Sequence, residues 1–93
     1  MAAGLSQSQK SYIARQSLKS IQAQFGGVYR NGKAGCVSSL QLDGGNEVYV
    51  KWSNMSNGGS VGVLVAYNAG RNVKVEGKYG EPVSELLARL AAV

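Results

Sequence analysis

The clearest structural signal in this sequence is a segment of alternating apolar and polar residues, Glu47-Val48-Tyr49-Val50-Lys51-Trp52-Ser53. A period of two is typical of a β-strand with one buried and one solvated face. The segment holds the only tryptophan of the chain, the largest apolar side chain available to a small core. Turn-forming residues flank it, at 43–46 and at 54–59. We therefore predict a central strand of an antiparallel sheet, with Val48, Val50 and Trp52 facing the core.

Four further segments have the composition of strands, namely Val28–Arg30, Ala34–Leu42, Ser60–Tyr67 and Asn72–Tyr79. Asn31-Gly32 predicts a tight hairpin turn between the first two of them. In the last segment, Val73 and Val75 are predicted to face inward. Residues 60–67 also fit the end of a short helix with Gly70 at its C-cap, but their three valines favour a strand.

The two ends of the chain predict helices. Residues 1–6 are predicted to form a flexible arm, and an amphipathic helix follows over residues 7–25, with Ser6 or Ser8 as its cap and Gly26-Gly27 at its end. A short helix is predicted over residues 82–92, with Pro82 at its first position and Glu81 or Glu85 at its positive end. The predicted apolar face of the first helix comprises Ile13, Ala14, Leu18, Ile21 and Phe25.

These elements predict the α+β class, an antiparallel meander of about five strands with an N-terminal amphipathic helix and a short C-terminal helix. The sheet is predicted to span residues 27–79. The chain has 93 residues, of which 44% are hydrophobic, and this suffices for one modest core. We therefore expect a single domain over residues 1–93.

Charge is distributed unevenly along the chain. Lysine and arginine number 10 and acidic residues number 5, yet residues 1–42 contain no acid. Such an asymmetry favours an acidic or polyanionic partner. The longest apolar runs fall short of the roughly 18 residues that a membrane span needs, so no membrane association is expected. The first ten residues lack the apolar region of a secretory signal, and the single cysteine favours a reducing compartment, so a cytoplasmic location is expected.

Catalytic and metal-binding constellations are hard to assemble from this composition. The chain has no histidine and one cysteine, which excludes Ser-His-Asp and Cys-His arrangements and ordinary transition-metal ligand sets within one chain. The five acidic residues are interpreted as turn formers and helix-start charges. Cys36 is interpreted as a small buried hydrophobe and Gly77-Lys78-Tyr79-Gly80 as a turn. We therefore expect a protein that is not an enzyme and that uses neither cofactor nor metal.

A binding surface remains as the candidate functional feature. If the valines of the central strand face the core, then aromatic and basic residues share the opposite face of the sheet, and basic residues also lie on the first helix. Rings interleaved with cations suit single-stranded nucleic acid, since bases stack on rings while cations contact phosphates. The same pattern also describes the ordinary solvated face of a sheet. The predicted binding residues are Tyr49, Lys51, Lys74, Lys78, Arg30, Arg15 and Lys19, with Tyr29 as an alternative to Arg30.

The sequence thus leaves two functions open. The first is a non-catalytic protein that contacts another protein, as an inhibitor, an adaptor or an assembly subunit, with self-association through edge strands as one route. The second is binding of RNA or single-stranded DNA. The order of one helix and five strands resembles Sm-like RNA-binding proteins, although the closing helix departs from that layout. In type, the chain also resembles small phage-encoded inhibitors of bacterial defence.

Overall fold

The computed structural model describes residues 6–32, 37–54, 60–78 and 81–93. The elements in chain order are α1 (Gln7–Phe25), β1 (Val28–Arg30), β2 (Ser39–Gln41), β3 (Asn46–Asn54), β4 (Ser60–Asn68), β5 (Val73–Glu76) and α2 (Val83–Ala92). The strands lie in the order β1-β2-β3-β4-β5, and every neighbouring pair is antiparallel. The predicted α+β class and the antiparallel meander with a helix at each end are confirmed. The helical alternative for residues 60–67 is wrong.

Both helices pack on the same face of the sheet. The strand register places Tyr29, Leu40, Val48, Ala66 and Val75 in one row across the five strands. The middle of this row is fully buried under α1 and α2, in a core cluster made of Leu18, Ile21, Leu40, Val48, Ala66, Leu86 and Leu90. Burying one such branched side chain contributes about 1.5–3 kcal/mol. This row is the centre of the fold, and Tyr29 belongs to it rather than to the solvated face.

The hairpin of β3 and β4 is much longer than its neighbours. It pairs over nine residues, which corresponds to about 30 Å. β1 and β2 have three residues each and β5 has four. β1 pairs with β2, β2 pairs with residues 47–49 of β3, and β5 pairs with residues 65–68 of β4. We call residues 46–49 and 65–68 the proximal half of the hairpin, and residues 50–54 and 60–64 the distal half. Of the helices, α1 has 19 residues, about 28 Å, while α2 has 10 residues, about 15 Å.

The helix ends explain where α1 and α2 start. Ser6 caps α1 in a capping box, since its Oγ accepts from the Gln9 amide while Gln9 Oε1 accepts from the Ser6 amide. Ser6 therefore belongs to the helix start, and residues 1–5 of the predicted arm lie outside the described residues. Pro82 is the N-cap of α2 rather than its first residue. Glu81 precedes α2 and pairs with Arg89, with 2.8 Å between its Oε1 and Arg89 Nη2.

The prediction of a tight turn at Asn31-Gly32 is wrong. Arg30 pairs with Ser39, so eight residues connect β1 to β2 where a two-residue turn would have paired Arg30 with residue 33. The amide of Gly32 donates to Ser38 Oγ at 2.9 Å, a side-chain acceptor that takes the place of a cross-strand carbonyl. The wide connection carries Val37 and Ser38 back towards α1. Cys36, interpreted above as buried, lies outside the described residues.

Candidate functional site

The predicted binding residues divide between the two sides of the sheet. α1 carries Arg15 and Lys19 and covers one side. The other predicted residues share the opposite, open face, since they alternate with core residues along their strands. These are Arg30, Tyr49, Lys51 and Lys74, whereas Lys78 follows the end of β5 and belongs to no strand. The structure therefore does not join the sheet and helix residues into one continuous basic track.

Acidic side chains interrupt the cations of the open face. Lys51 Nζ lies 2.9 Å from Glu76 Oε2, and this ion pair links β3 to β5 across β4. The hydrogen bond and the opposite charge raise the pKa of Lys51 and lower that of Glu76. A second carboxylate, that of Glu47, accepts a hydrogen bond from Gln41 Nε2. One of the predicted phosphate-binding lysines is thus already paired within the protein.

Several side chains of the open face are themselves partly or fully buried. Val65 points to this face and yet is only 1% exposed. It lies in register between Tyr49 on β3 and Glu76 on β5, and Tyr67 follows two residues along β4. Tyr49 and Tyr67 are themselves half-buried. Because both tyrosines are half-buried, their rings are not fully exposed platforms on the sheet.

A cleft of about 740 Å³ opens on the helix side of the sheet. It lies between the first half of α1 and the distal half of the hairpin, and the β1–β2 connection closes one side. This volume falls within the roughly 300–1,000 Å³ that is typical of ligand pockets. Its described lining includes Lys10, Tyr12, Arg15, Tyr29, Val37, Val50 and Trp52.

Trp52 forms the floor of this cleft. It pairs with Gly62, and a Cβ added to Gly62 would lie 3.0 Å from Trp52 Cζ3 and 3.1 Å from Cη2. The indole therefore rests directly on the backbone of β4, which only glycine permits at this distance. Trp52 is half-buried and lies outside the core cluster. Trp52 points to the predicted side of the sheet, but it is not buried in the core as predicted.

The first half of α1 leaves apolar surface exposed around the cleft. Leu18 and Ile21 are buried as predicted, but Ile13 is 40% exposed and Phe25 is 41% exposed. Tyr12, at the cleft itself, is 56% exposed, and Val37 across from it is 60% exposed. The predicted apolar face of the helix is thus buried only in its middle. For Ile13, in the first half of the helix, the reason is length, because this part of α1 runs beyond the proximal half, where the core ends.

The charge of the cleft is uniformly basic. Lys10 and Arg15 line it, and the next turn of the same helix edge carries Lys19, whose Nζ lies 5.6 Å from the centroid of the Tyr29 ring. Such a cation–π contact contributes about 0.5–1 kcal/mol at an exposed site. The described lining contains no Asp or Glu, and residues 1–42 and 48–75 of the sequence contain none. The cleft thus combines aromatic and aliphatic surface with unopposed positive charge.

Two structural features are absent from the described residues. No cluster of three or more His, Cys, Asp or Glu side chains occurs in this part of the chain. Within the same ranges, neither helix combines the length and the apolar composition that a membrane crossing requires. The predicted turn at Gly77-Lys78-Tyr79-Gly80 includes Tyr79 and Gly80, which lie outside the described residues.

Sequence reasoning missed the cleft, because Tyr12 and Val37 were not singled out and Trp52 was assigned to the core. One signal was available: a helix of about 28 Å beside strands of three or four residues must extend beyond them. No known protein family, curated protein or solved structure matches this chain.

Proposed function

We propose that this protein acts by binding another protein, without catalysing a reaction, as an inhibitor, an adaptor or an assembly subunit. The observation that carries the proposal is the cleft between α1 and the distal half of the hairpin. Its aromatic floor and its exposed aliphatic rim have no covering element among the described residues. Neither a cofactor nor a metal has a role in this proposal, and a cytoplasmic setting is part of it, given the single cysteine.

The exposed apolar residues support a protein partner. Tyrosine, tryptophan and arginine are the residue types that most often dominate protein interfaces, and the cleft presents Tyr12, Trp52 and Arg15 together. Contiguous exposed apolar surface beside polar residues commonly marks an interaction site. In the proximal half, where both helices cover the sheet, Val48 and Ala66 on the same side are fully buried.

Photocrosslinking from two positions tests the proposal. A photoreactive phenylalanine derivative is placed at Tyr12, on the cleft, or at Glu85, an exposed position on α2. Both variants are irradiated in extract of the source cells. We expect protein adducts from position 12 and none of the same adducts from position 85. Equal labelling from both positions, or no protein adduct from position 12, would contradict the proposal.

Binding of RNA or single-stranded DNA is the second candidate function. The observation in its favour is the open face, where Tyr49 and Tyr67 share one side of the sheet with Arg30 and Lys74. The Lys51–Glu76 pair and the Glu47 carboxylate on the same face weaken it, since each carboxylate repels phosphate.

Anisotropy of labelled RNA and single-stranded DNA at about 50 and 200 mM salt tests this candidate, because multiple phosphate contacts make affinity strongly salt-dependent. Lys74→Ala on the open face should then weaken binding, whereas Lys10→Ala on the helix side should not. No binding at the lower salt concentration would remove the candidate.

Self-association is one form of the proposed protein contact. β1 and β5 are the two edges of the sheet, and Val28 on β1 is 63% exposed. Light scattering across a range of concentrations measures this directly. A monomer at every concentration would restrict the proposal to a different partner protein.

A further inference from the structure

We infer that the cleft binds an acidic segment of the partner protein, with an aromatic or branched aliphatic side chain of that segment seated on Trp52. This inference rests on the proposed function and adds the chemistry of the ligand. It joins two independent properties of the cleft, the apolar floor and the absence of carboxylates. An acidic peptide with apolar anchors matches both properties.

The floor of the cleft offers apolar contacts to a ligand. The indole of Trp52 rests on Gly62, so its position is fixed before a ligand arrives. A ring held in place loses little conformational freedom on binding, which favours its use as an anchor. Val50 adjoins it and is 7% exposed, whereas Tyr12 and Val37 stand at the rim. An inserted apolar side chain would contact the floor and both rim residues.

Basic side chains in the lining of the cleft offer positive charge to a ligand. Lys10 and Arg15 line the cleft, and neither forms an ion pair with any described residue. The two ion pairs of the described chain lie elsewhere, at Lys51–Glu76 and at Arg89–Glu81. Basic side chains without internal partners leave their charge available to a ligand, and they raise the rate at which an acidic segment associates.

A peptide fits the cleft better than a nucleic acid does. Val37 offers an aliphatic contact that a base cannot stack upon, and two cations, Lys10 and Arg15, line the described part of the cleft. Single-stranded nucleic acid sites follow the backbone with a longer series of cations and successive aromatic platforms. The described lining holds three aromatic rings, those of Tyr12, Tyr29 and Trp52, and the Tyr29 ring already lies 5.6 Å from Lys19 Nζ.

Intrinsic fluorescence provides the test, because Trp52 is the only tryptophan. The full chain is titrated with a short synthetic peptide in which glutamates flank a central phenylalanine and two leucines. We expect a saturable change in Trp52 emission. Arg15→Glu should weaken binding about tenfold, since it replaces an attraction by a repulsion. Tyr12→Ala should weaken it by at least about fivefold, since it removes an aromatic ring that the inserted side chain would contact.

The matched control is Lys74→Glu, which makes the same reversal of charge on the opposite face of the sheet and should leave affinity within about twofold. Three further probes are a peptide with lysine for every glutamate, a glutamate-only peptide and a single-stranded oligonucleotide. Failure of all three to bind supports the inference. Absence of binding by the first peptide would overturn it, and so would equal binding by the glutamate-only peptide or tighter binding by the oligonucleotide. A failure of the synthetic peptide to bind would overturn the inference about an acidic ligand. It would not contradict the proposed function, which crosslinking from position 12 tests separately.

Discussion

The proximal and distal halves of the β3–β4 hairpin have the same alternation of residues and very different surroundings. In the proximal half, Val48 and Ala66 are fully buried beneath Leu18 of α1 and Leu90 of α2. In the distal half, Trp52 points to the same side of the sheet and floors an open cleft. The difference lies in coverage, because α1 alone runs along the distal half. Alternation therefore determines which way a side chain faces, and the lengths of the neighbouring elements determine whether it is buried.

The largest expected effect separates the two halves by stability. Leu18→Ala removes a fully buried side chain from the proximal core and should lower the free energy of unfolding by about 2–5 kcal/mol. Ile13→Ala, on the same helix but 40% exposed, should cost less than about 1 kcal/mol. Urea denaturation measures both. Equal losses would mean that the distal half is packed as tightly as the proximal half.

The floor of the cleft can be disturbed directly. Gly62→Ala places a Cβ 3.0 Å from Trp52 Cζ3 and 3.1 Å from Val50 Cγ1, so the indole must shift by a few tenths of an ångström. Trp52 emission should change because the environment of the ring changes. Gly70→Ala is the matched control, because its Cβ would meet only Asn68 Oδ1 at 3.5 Å, an ordinary contact. An unchanged emission spectrum in Gly62→Ala would contradict the placement of the indole on β4.

Acid should act on the junction of α2 and β5, through Glu81. A hydrogen bond from Arg89, aided by the backbone amide of Lys78, lowers the pKa of Glu81 from 4.5 to about 2. Since the folded pKa lies below the unfolded one, this contribution is complete above about pH 4.5 and is lost as the pH falls towards 2. Arg89 also donates to the Glu76 carbonyl, so the pair ties α2 to β5.

Glu81→Gln should therefore be less stable than the parent at neutral pH and should lose less stability between about pH 4.5 and 2. Thermal melts across this range provide the measurement. Glu85→Gln, on an exposed carboxylate of α2, is the control and should retain the parent's acid response. A parent and a Glu81→Gln variant with parallel pH profiles would count against the assigned pKa.

The architecture was predictable from local patterns, whereas the site was not. Alternation around Val50 and Val75, together with glycine at the helix end, indicated the strands, their sides and α1. The hairpin at Asn31-Gly32 failed because Ser38 supplies the acceptor for the Gly32 amide, a contact six residues away that no dipeptide rule contains. The prediction that Trp52 belongs to the core was wrong for a similar reason, because burial at this position depends on how far α2 and β5 extend. The pairing of Lys51 with Glu76 spans 25 positions and likewise leaves no local signal.

The most direct test of the open, basic cleft is quenching of Trp52 fluorescence in the free protein by iodide and by caesium at matched ionic strength. A half-exposed indole near Lys10 and Arg15, with no carboxylate in the described lining, should be quenched by both ions, and clearly more by the anion. Arg15→Glu should reduce that difference, whereas Lys74→Glu should not. A tryptophan that neither ion reaches, or one that caesium quenches as well as iodide does, would contradict the account.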